Sequence, residues 1–195
     1  MDPHEAAVLA TQLAMGFALA ACVGLRTFLP LLAAGLLARM GYIELGARFQ
    51  WMASTPALVV FGSAMAFEIL ADKIPGLDHA LHAAESFVKP VAATILAASL
   101  LPELDPTTAM AVGLIAGGTA AGVVQVVRGT TRVASTMFTG GLANPLLSLA
   151  DDAMAAVGVA LAFIVPVLAA LGVVAMIAAA AWLLTRRRAR PTQGT

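Results

Sequence analysis

Three carboxylates and an ammonium crowd into the stretch Glu68-Ile-Leu-Ala-Asp72-Lys73-Ile-Pro75-Gly76-Leu-Asp78, at the end of a segment otherwise fit only for lipid. The residues from Pro56 to Phe67 carry no charge, and those from Phe87 to Leu101 carry only Lys89. A charge near the bilayer centre costs about 2.5–3.5 kcal/mol on insertion scales, so such residues face a protein interior or a watery cavity and mark function by default. Glu68 and Asp72 are four apart and share one face of a helix. Two carboxylates that meet in a low dielectric do not both ionise easily, so the spacing predicts that one holds a proton, the chemistry of proton exchange for a cation. The competing account is that Asp72, Lys73 and Asp78 merely mark the membrane exit. Glu68, a full turn deeper, is the stronger candidate.

Arg26 and Arg132 are the matching cations. They are expected either to pair with these acids or to capture a phosphate or carboxylate at a broken helix; the plain alternative is an arginine snorkelling to the interface. Asp151 and Asp152 form a second acidic pair. Asp78, His79, His82 and Glu85 are spaced so that Asp78, His82 and Glu85 share a helical face, and His82 with Glu85 has the spacing of metal-binding helices. A capping aspartate followed by interfacial histidines accounts for the same text. Thr136, Thr139 and Asn144, with Gly140-Gly141, suit a re-entrant piece whose backbone is satisfied inside protein. The chain has no Walker loop, no Gly-x-Ser-x-Gly elbow and no His-Glu-x-x-His zincin, which argues against a soluble-type enzyme.

The elements that must position these groups read as spans and breaks. Ala6 to Gly24 is about long enough to cross a bilayer. It is interrupted around Arg26 and followed by a short apolar piece, Leu31 to Ala38. GYIELGARFQWMAS, residues 41–54, mixes charge with Tyr42, Phe49 and Trp51 and reads as interfacial. Pro56 opens a helix to about Asp72, and Asp78 caps another that reaches Leu101. Thr108 to Val127 spans, with Gly113-x-x-x-Gly117 and Gly118-x-x-x-Gly122 as close-approach or oligomer motifs. A break is expected at Arg128–Arg132, then a short piece to Asn144, a restart at Pro145, and a long apolar run to Leu184 tilted or kinked at Pro166. Setting Arg26 against Arg132 aligns Gly35-Leu36 with Gly141-Leu142 and suggests two related halves, about 6–102 and 107–185. Broken helices at matching positions of two halves point to a transporter-type site.

Composition agrees. The 195 residues are 61% hydrophobic and 11% charged, whereas soluble domains carry about 25% charged residues. Strand-like alternation with turn punctuation is missing, which disfavours a β-barrel, and the formal net charge of zero makes no bid for nucleic acid. The basic run Arg186-Arg187-Arg188-Ala-Arg190 follows the last apolar stretch and places residues 186–195 in the cytoplasm. Cys22 is the single cysteine, so no intramolecular disulfide forms. Leu19-Ala-Ala-Cys22 looks like a lipoprotein box, but the segment before it has two acids and no Lys or Arg.

GLRTFLP (Gly24–Pro30), EILADKIPGLD (Glu68–Asp78) with VKP (Val88–Pro90), and STMFTGGLANP (Ser135–Pro145) resemble the bacterial membrane family filed as domain of unknown function 4126, over roughly Leu13 to Ala181. That resemblance implies a small integral membrane protein and no activity. The Glu…Asp-Lys run is also similar to the acidic helix motif of a divalent-cation/proton exchanger family, which has a glycine, closer spacing and a hydroxyl residue where this chain has Ile74. The expectation is an all-α, polytopic helical membrane protein of five to seven hydrophobic segments, one membrane domain in two halves with broken or re-entrant helices, in the bacterial inner membrane. Its expected function is cation- or proton-coupled transport through Glu68, Asp72, Asp78, Asp151, Asp152, Arg26, Arg132 and Asn144, without a cofactor, a divalent cation being one candidate solute. The alternative is a scaffold that self-assembles through Gly113, Gly117, Gly118 and Gly122. A lipid-modifying enzyme with His82 and Glu85 on a metal comes third.

Overall fold

A computed structural model describes residues 2–72 and 77–188, without the side chains of 77–83, 180 and 183–188. The chain is all-α, and the described residues contain no strand. Helix α1 (Pro3–Leu25) starts in a capping box: the Asp2 carboxylate accepts from the His4 N–H at 3.0 Å, and Glu5 reaches back to the Asp2 N–H at 2.9 Å. It stops where Arg26 turns extended (φ −133°, ψ 119°), and α2 (Phe28–Arg39) follows. A 3-10 turn (Ala47–Ala53) bends by 62° into α3 (Thr55–Ala71), whose first turn has the Ser54 hydroxyl as cap and Pro56 in the proline-tolerant position. Then come α4 (Leu77–Ser99), α5 (Pro106–Val112), a π-helical segment (Gly113–Gly118), α6 (Thr119–Thr139), α7 (Asn144–Ile164) and α8 (Pro166–Arg188). Residues Pro3–Leu25, Pro106–Thr139 and Asn144–Ile164 are long and apolar enough to cross a membrane, and the bent 3-10/α3 pair makes a fourth candidate. Val60, Phe87, Phe138 and Ile164 are each at least 60% exposed, the outer surface of a protein solvated by lipid rather than water.

Helix α1 is the hub, packed against α4, α6, α7 and α8. Small residues bring the backbones together: a Cβ added at Gly24 would lie 2.7 Å from the Ala121 carbonyl, and one at Gly117 would lie 2.8 Å from the Ala93 carbonyl. These contacts fix the directions. Gly16 meets Ala97 and the Gly24 carbonyl meets Lys89, so α4 runs antiparallel to α1, while Ala20 with Gly117 and Gly24 with Ala121 make α6 parallel.

Two local expectations are corrected, at residues 128–144 and at Pro166. The helix does not break at Arg128–Arg132: α6 runs through to Thr139 and ends on Gly140 and Gly141, both at positive φ (61° and 87°). The Thr130 and Thr131 hydroxyls bond back to the Val126 and Val127 carbonyls at 2.8 and 2.9 Å, so the hydroxyl-rich text satisfies itself within a helix. Residues 133–144 are therefore the end of α6 and a tight turn, not a re-entrant piece. At Pro166 the chain turns rather than kinks: Gly158 sits on Cys22 while Val173 joins Ala21, so α8 returns along the part of α1 that α7 has just passed. The close approach expected of the glycines is found inside the chain at two of them, Gly113 on Thr94 and Gly117 on Ala93 of α4, and both are covered. A Cβ added at Gly118 would lie 3.5 Å from the Thr94 hydroxyl, in ordinary contact, and Gly122 faces open space.

Candidate functional site

The break after α1 leaves backbone donors that need partners inside the protein. Thr27, the N-cap of α2, supplies no side-chain cap. Glu68, from the last turn of α3, supplies it instead: its carboxylate accepts the Thr27 N–H at 2.8 Å and the Phe28 N–H at 3.3 Å, with 1% of the residue exposed. A carboxylate at a helix N-terminus is also favoured by the helix dipole. Among the described residues Glu68 makes no ion pair.

One turn on, Asp72 is the centre of a denser arrangement. Its Oδ2 accepts from Arg26 Nη2 and Arg132 Nη2, each at 2.8 Å, from Arg128 Nη2 at 3.2 Å, and from the Ser148 hydroxyl at 2.7 Å. Its Oδ1 takes Arg132 Nη1 at 2.8 Å, which completes a bidentate fork. Glu68 and Asp72 therefore take separate partners rather than facing each other over one proton. Around this hub Arg26 Nε meets Asp152 at 2.5 Å, Arg128 Nε meets Asp151 at 2.7 Å, and Arg132 Nη2 lies 3.3 Å from the same Asp151 oxygen. Lys89 bridges Glu85 at 2.7 Å and the Gly24 carbonyl at 3.3 Å, and Glu85 also takes Arg128 Nη1 at 3.2 Å. Five helices (α1 at its break, α3, α4, α6 and α7) converge here.

The cluster lies inside the apolar thickness. On α7, Asp151 follows Asn144 by seven residues and precedes Ile164 by thirteen, or about 10 and 20 Å at the helical rise. Exposed apolar residues flank it on both sides, Phe138 and Leu142 beyond one end and Leu161 and Ile164 toward the other. Buried charges survive in such a medium by pairing and hydrogen bonding. Arg26, Arg128, Arg132, Lys89, Asp72, Asp151 and Glu85 do both, and Glu68 relies on its two backbone N–H donors.

A cleft of about 710 Å³ opens between α4 and α6 beside this cluster. Glu85, Lys89, Arg128 and Arg132 line it, together with Gln125, Thr136 and Asn144. Asp72, Asp151, Asp152 and Glu68 do not line it. Asn144 donates to the Thr136 hydroxyl at 3.1 Å and its Oδ1 has no partner, so it belongs to the cleft rather than to the charge network.

Of the residues singled out by sequence, Glu68, Asp72, Asp151, Asp152, Arg26 and Arg132 lie together. The side chains of Asp78 and His82 lie outside the described residues. Glu85 is engaged with Lys89 and Arg128, and among the described residues no group of three or more acids, histidines or cysteines is arranged to hold a metal. Arg128, Lys89, Ser148 and the Thr27 and Phe28 amides were not singled out. Arg128 had a readable signal, since it stands four residues before Arg132 on the same helical face. Ser148 had none.

The family model described as "Domain of unknown function (DUF4126)" matches residues 13–186. No curated protein and no solved structure matches the chain.

Proposed function

Because the chain belongs to that family, whose description assigns no activity, we propose from its geometry that it is a small proton-coupled membrane carrier. The observation that carries this reading is the conjunction of a buried charge network with an open cleft: arginines and acids from five helices converge between apolar surfaces, and one side of the network borders a cleft of about 710 Å³. The charged residues that line the cleft are nearly buried, Lys89 at 1% and Glu85, Arg128 and Arg132 at 5%, 6% and 7% exposed, so the cleft reaches the edge of the network without flooding it. Even a thin exposed edge weakens the attraction that offsets desolvation, which a purely structural network has no reason to keep. Glu68 is the proton-loading group in this reading. It can change charge without unmaking an ion pair among the described residues, and it holds the first turn of α2, so its proton state is tied to the break in the α1–α2 hairpin. Asp72, Asp151 and Asp152 hold the arginines in place.

The scaffold reading is favoured by one fact, that Asp72 ties three arginines from two helices to α3; it gives the cleft no role. A metal-dependent lipid enzyme draws no support from Glu85, which is committed to Lys89 and Arg128. The basic run at Arg186–Arg188 orients the carrier with that end in the cytoplasm of a bacterial cell, and a reporter fused there that works only in the cytoplasm tests the orientation. Proton flux through reconstituted protein, with Glu68→Gln alongside wild type, tests the reading as a whole.

A further inference from the structure

We infer that the cleft between α4 and α6 binds an amphiphilic anion, its carboxylate or phosphate group against Lys89, Arg128 and Arg132 and its apolar body along α6. The inference names the solute class of the carrier proposed above and rests on that reading for the transport of this ligand, though not for its binding.

The first observation is the polarity of the network. Three cations border the cleft with one carboxylate, Glu85, while the acids that balance the arginines, Asp72 and Asp151, stand behind them and do not reach it. The face turned to an incoming ligand is thus more basic than the network as a whole, and guanidinium groups suit the paired oxygens of carboxylate and phosphate. A cation entering here meets the wrong side of the ion pairs.

The second observation is the wall. Gly122, Val126, Gly129 and Val133 recur along one face of α6, and a Cβ placed on Gly122 or Gly129 meets nothing within 4 Å. Those glycines keep the trough open where any larger residue would fill it. The face spans about 17 Å at the helical rise, and its valines are more than 60% exposed. The polar neighbours Gln125, Thr136 and Asn144 carry no charge, and the Asn144 Oδ1 is buried without a partner. A mostly apolar trough with a few convergent polar groups, about 710 Å³ in volume, is of the size that holds a small ligand.

Spin-labelled stearate and its neutral methyl ester, each offered to the protein in phosphatidylcholine nanodiscs at pH 8, test the inference through the fraction of label held immobile. The expected result is about tenfold tighter association of the stearate, the scale of a hydrogen bond to a charged group. Gly129→Leu and Val133→Trp fill the trough without touching a charge and are expected to remove that preference at an unchanged unfolding temperature. Equal association of the ester, or a preference that survives both variants, overturns the inference. Displacement of the stearate by millimolar inorganic phosphate would assign the site to a soluble anion and overturn the amphiphile. Binding in nanodiscs without proton flux by the same protein in liposomes counts against the carrier alone, whereas flux without binding counts against this ligand alone.

Discussion

Asp72 concentrates more of the energetics than any other side chain described. One carboxylate receives three guanidinium groups and a hydroxyl, so its removal takes a partner from three buried arginines at once and leaves them, among the described residues, only the acids Asp151, Asp152 and Glu85. Breaking a buried pair by deleting one partner costs about 3–5 kcal/mol. Asp72→Asn is therefore expected to lower stability by at least that much, measured by thermal or denaturant unfolding in detergent. A loss under about 1 kcal/mol, the range of surface pairs, would mean that water reaches the site. At this scale the sequence is partly legible. A charge inside apolar text stands out, which marked Glu68, Asp72, Arg26 and Arg132. Their partners do not stand out, because pairing is decided where five helices meet: Ser148 is one hydroxyl among many, and the role of Glu68 depends on orphan amides 40 and 41 residues earlier in the chain.

At the scale of elements, helix ends that rest on local chemistry were readable. Pro56 opens α3, Arg26 stands where α1 stops, and α4 ends at Ser99, close to the expected Leu101. The end of α6 was misplaced because arginine and threonine read as breakers when no partner is in view. With Asp72 and Asp151 neutralising the arginines and the threonines bonding back, the helix continues. The glycine motifs were legible as close-approach surfaces, but the partner of Gly113 and Gly117 was not, and it proves to be α4 of the same chain. Gly117→Leu is expected to destabilise the monomer by about 1–3 kcal/mol or more through overpacking, read as a lower unfolding temperature with no change in oligomer size. A change in oligomer size at unchanged stability would place that surface between chains.

Asp105, the exposed N-cap of α5, gives a prediction at the same scale. Hydrogen bonds from the Thr108 side chain and from the Thr108 and Thr107 N–H groups hold its carboxyl below the usual value. A depressed folded-state value contributes stability above the unfolded value of about 3.9 and loses it as pH falls through the folded value. Asp105→Ala is expected to lower the unfolding temperature at neutral pH, with the gap to wild type closing in acid below about pH 4. A gap independent of pH would show that the cap does not act through its charge.

At the scale of the whole molecule, the class was legible from composition, since a chain with 11% charged residues cannot clothe itself for water. The side on which the network opens was not, because a cleft belongs to the relation between α4 and α6 and to neither sequence alone. The orientation with the basic end in the cytoplasm, the sealed hub at Asp72 and the cleft beside it form one proposal, a carrier in which Glu68 loads the proton. The direct test is proton movement into liposomes holding purified protein, followed with an internal pH dye under imposed gradients of mono- and divalent cations and of a medium-chain carboxylate, with wild type and Glu68→Gln compared at equal insertion and equal unfolding temperature. The account predicts solute-dependent proton movement by wild type, strongest with the carboxylate, and its loss in Glu68→Gln. No movement by folded, inserted wild type, or equal movement by both proteins, would contradict it.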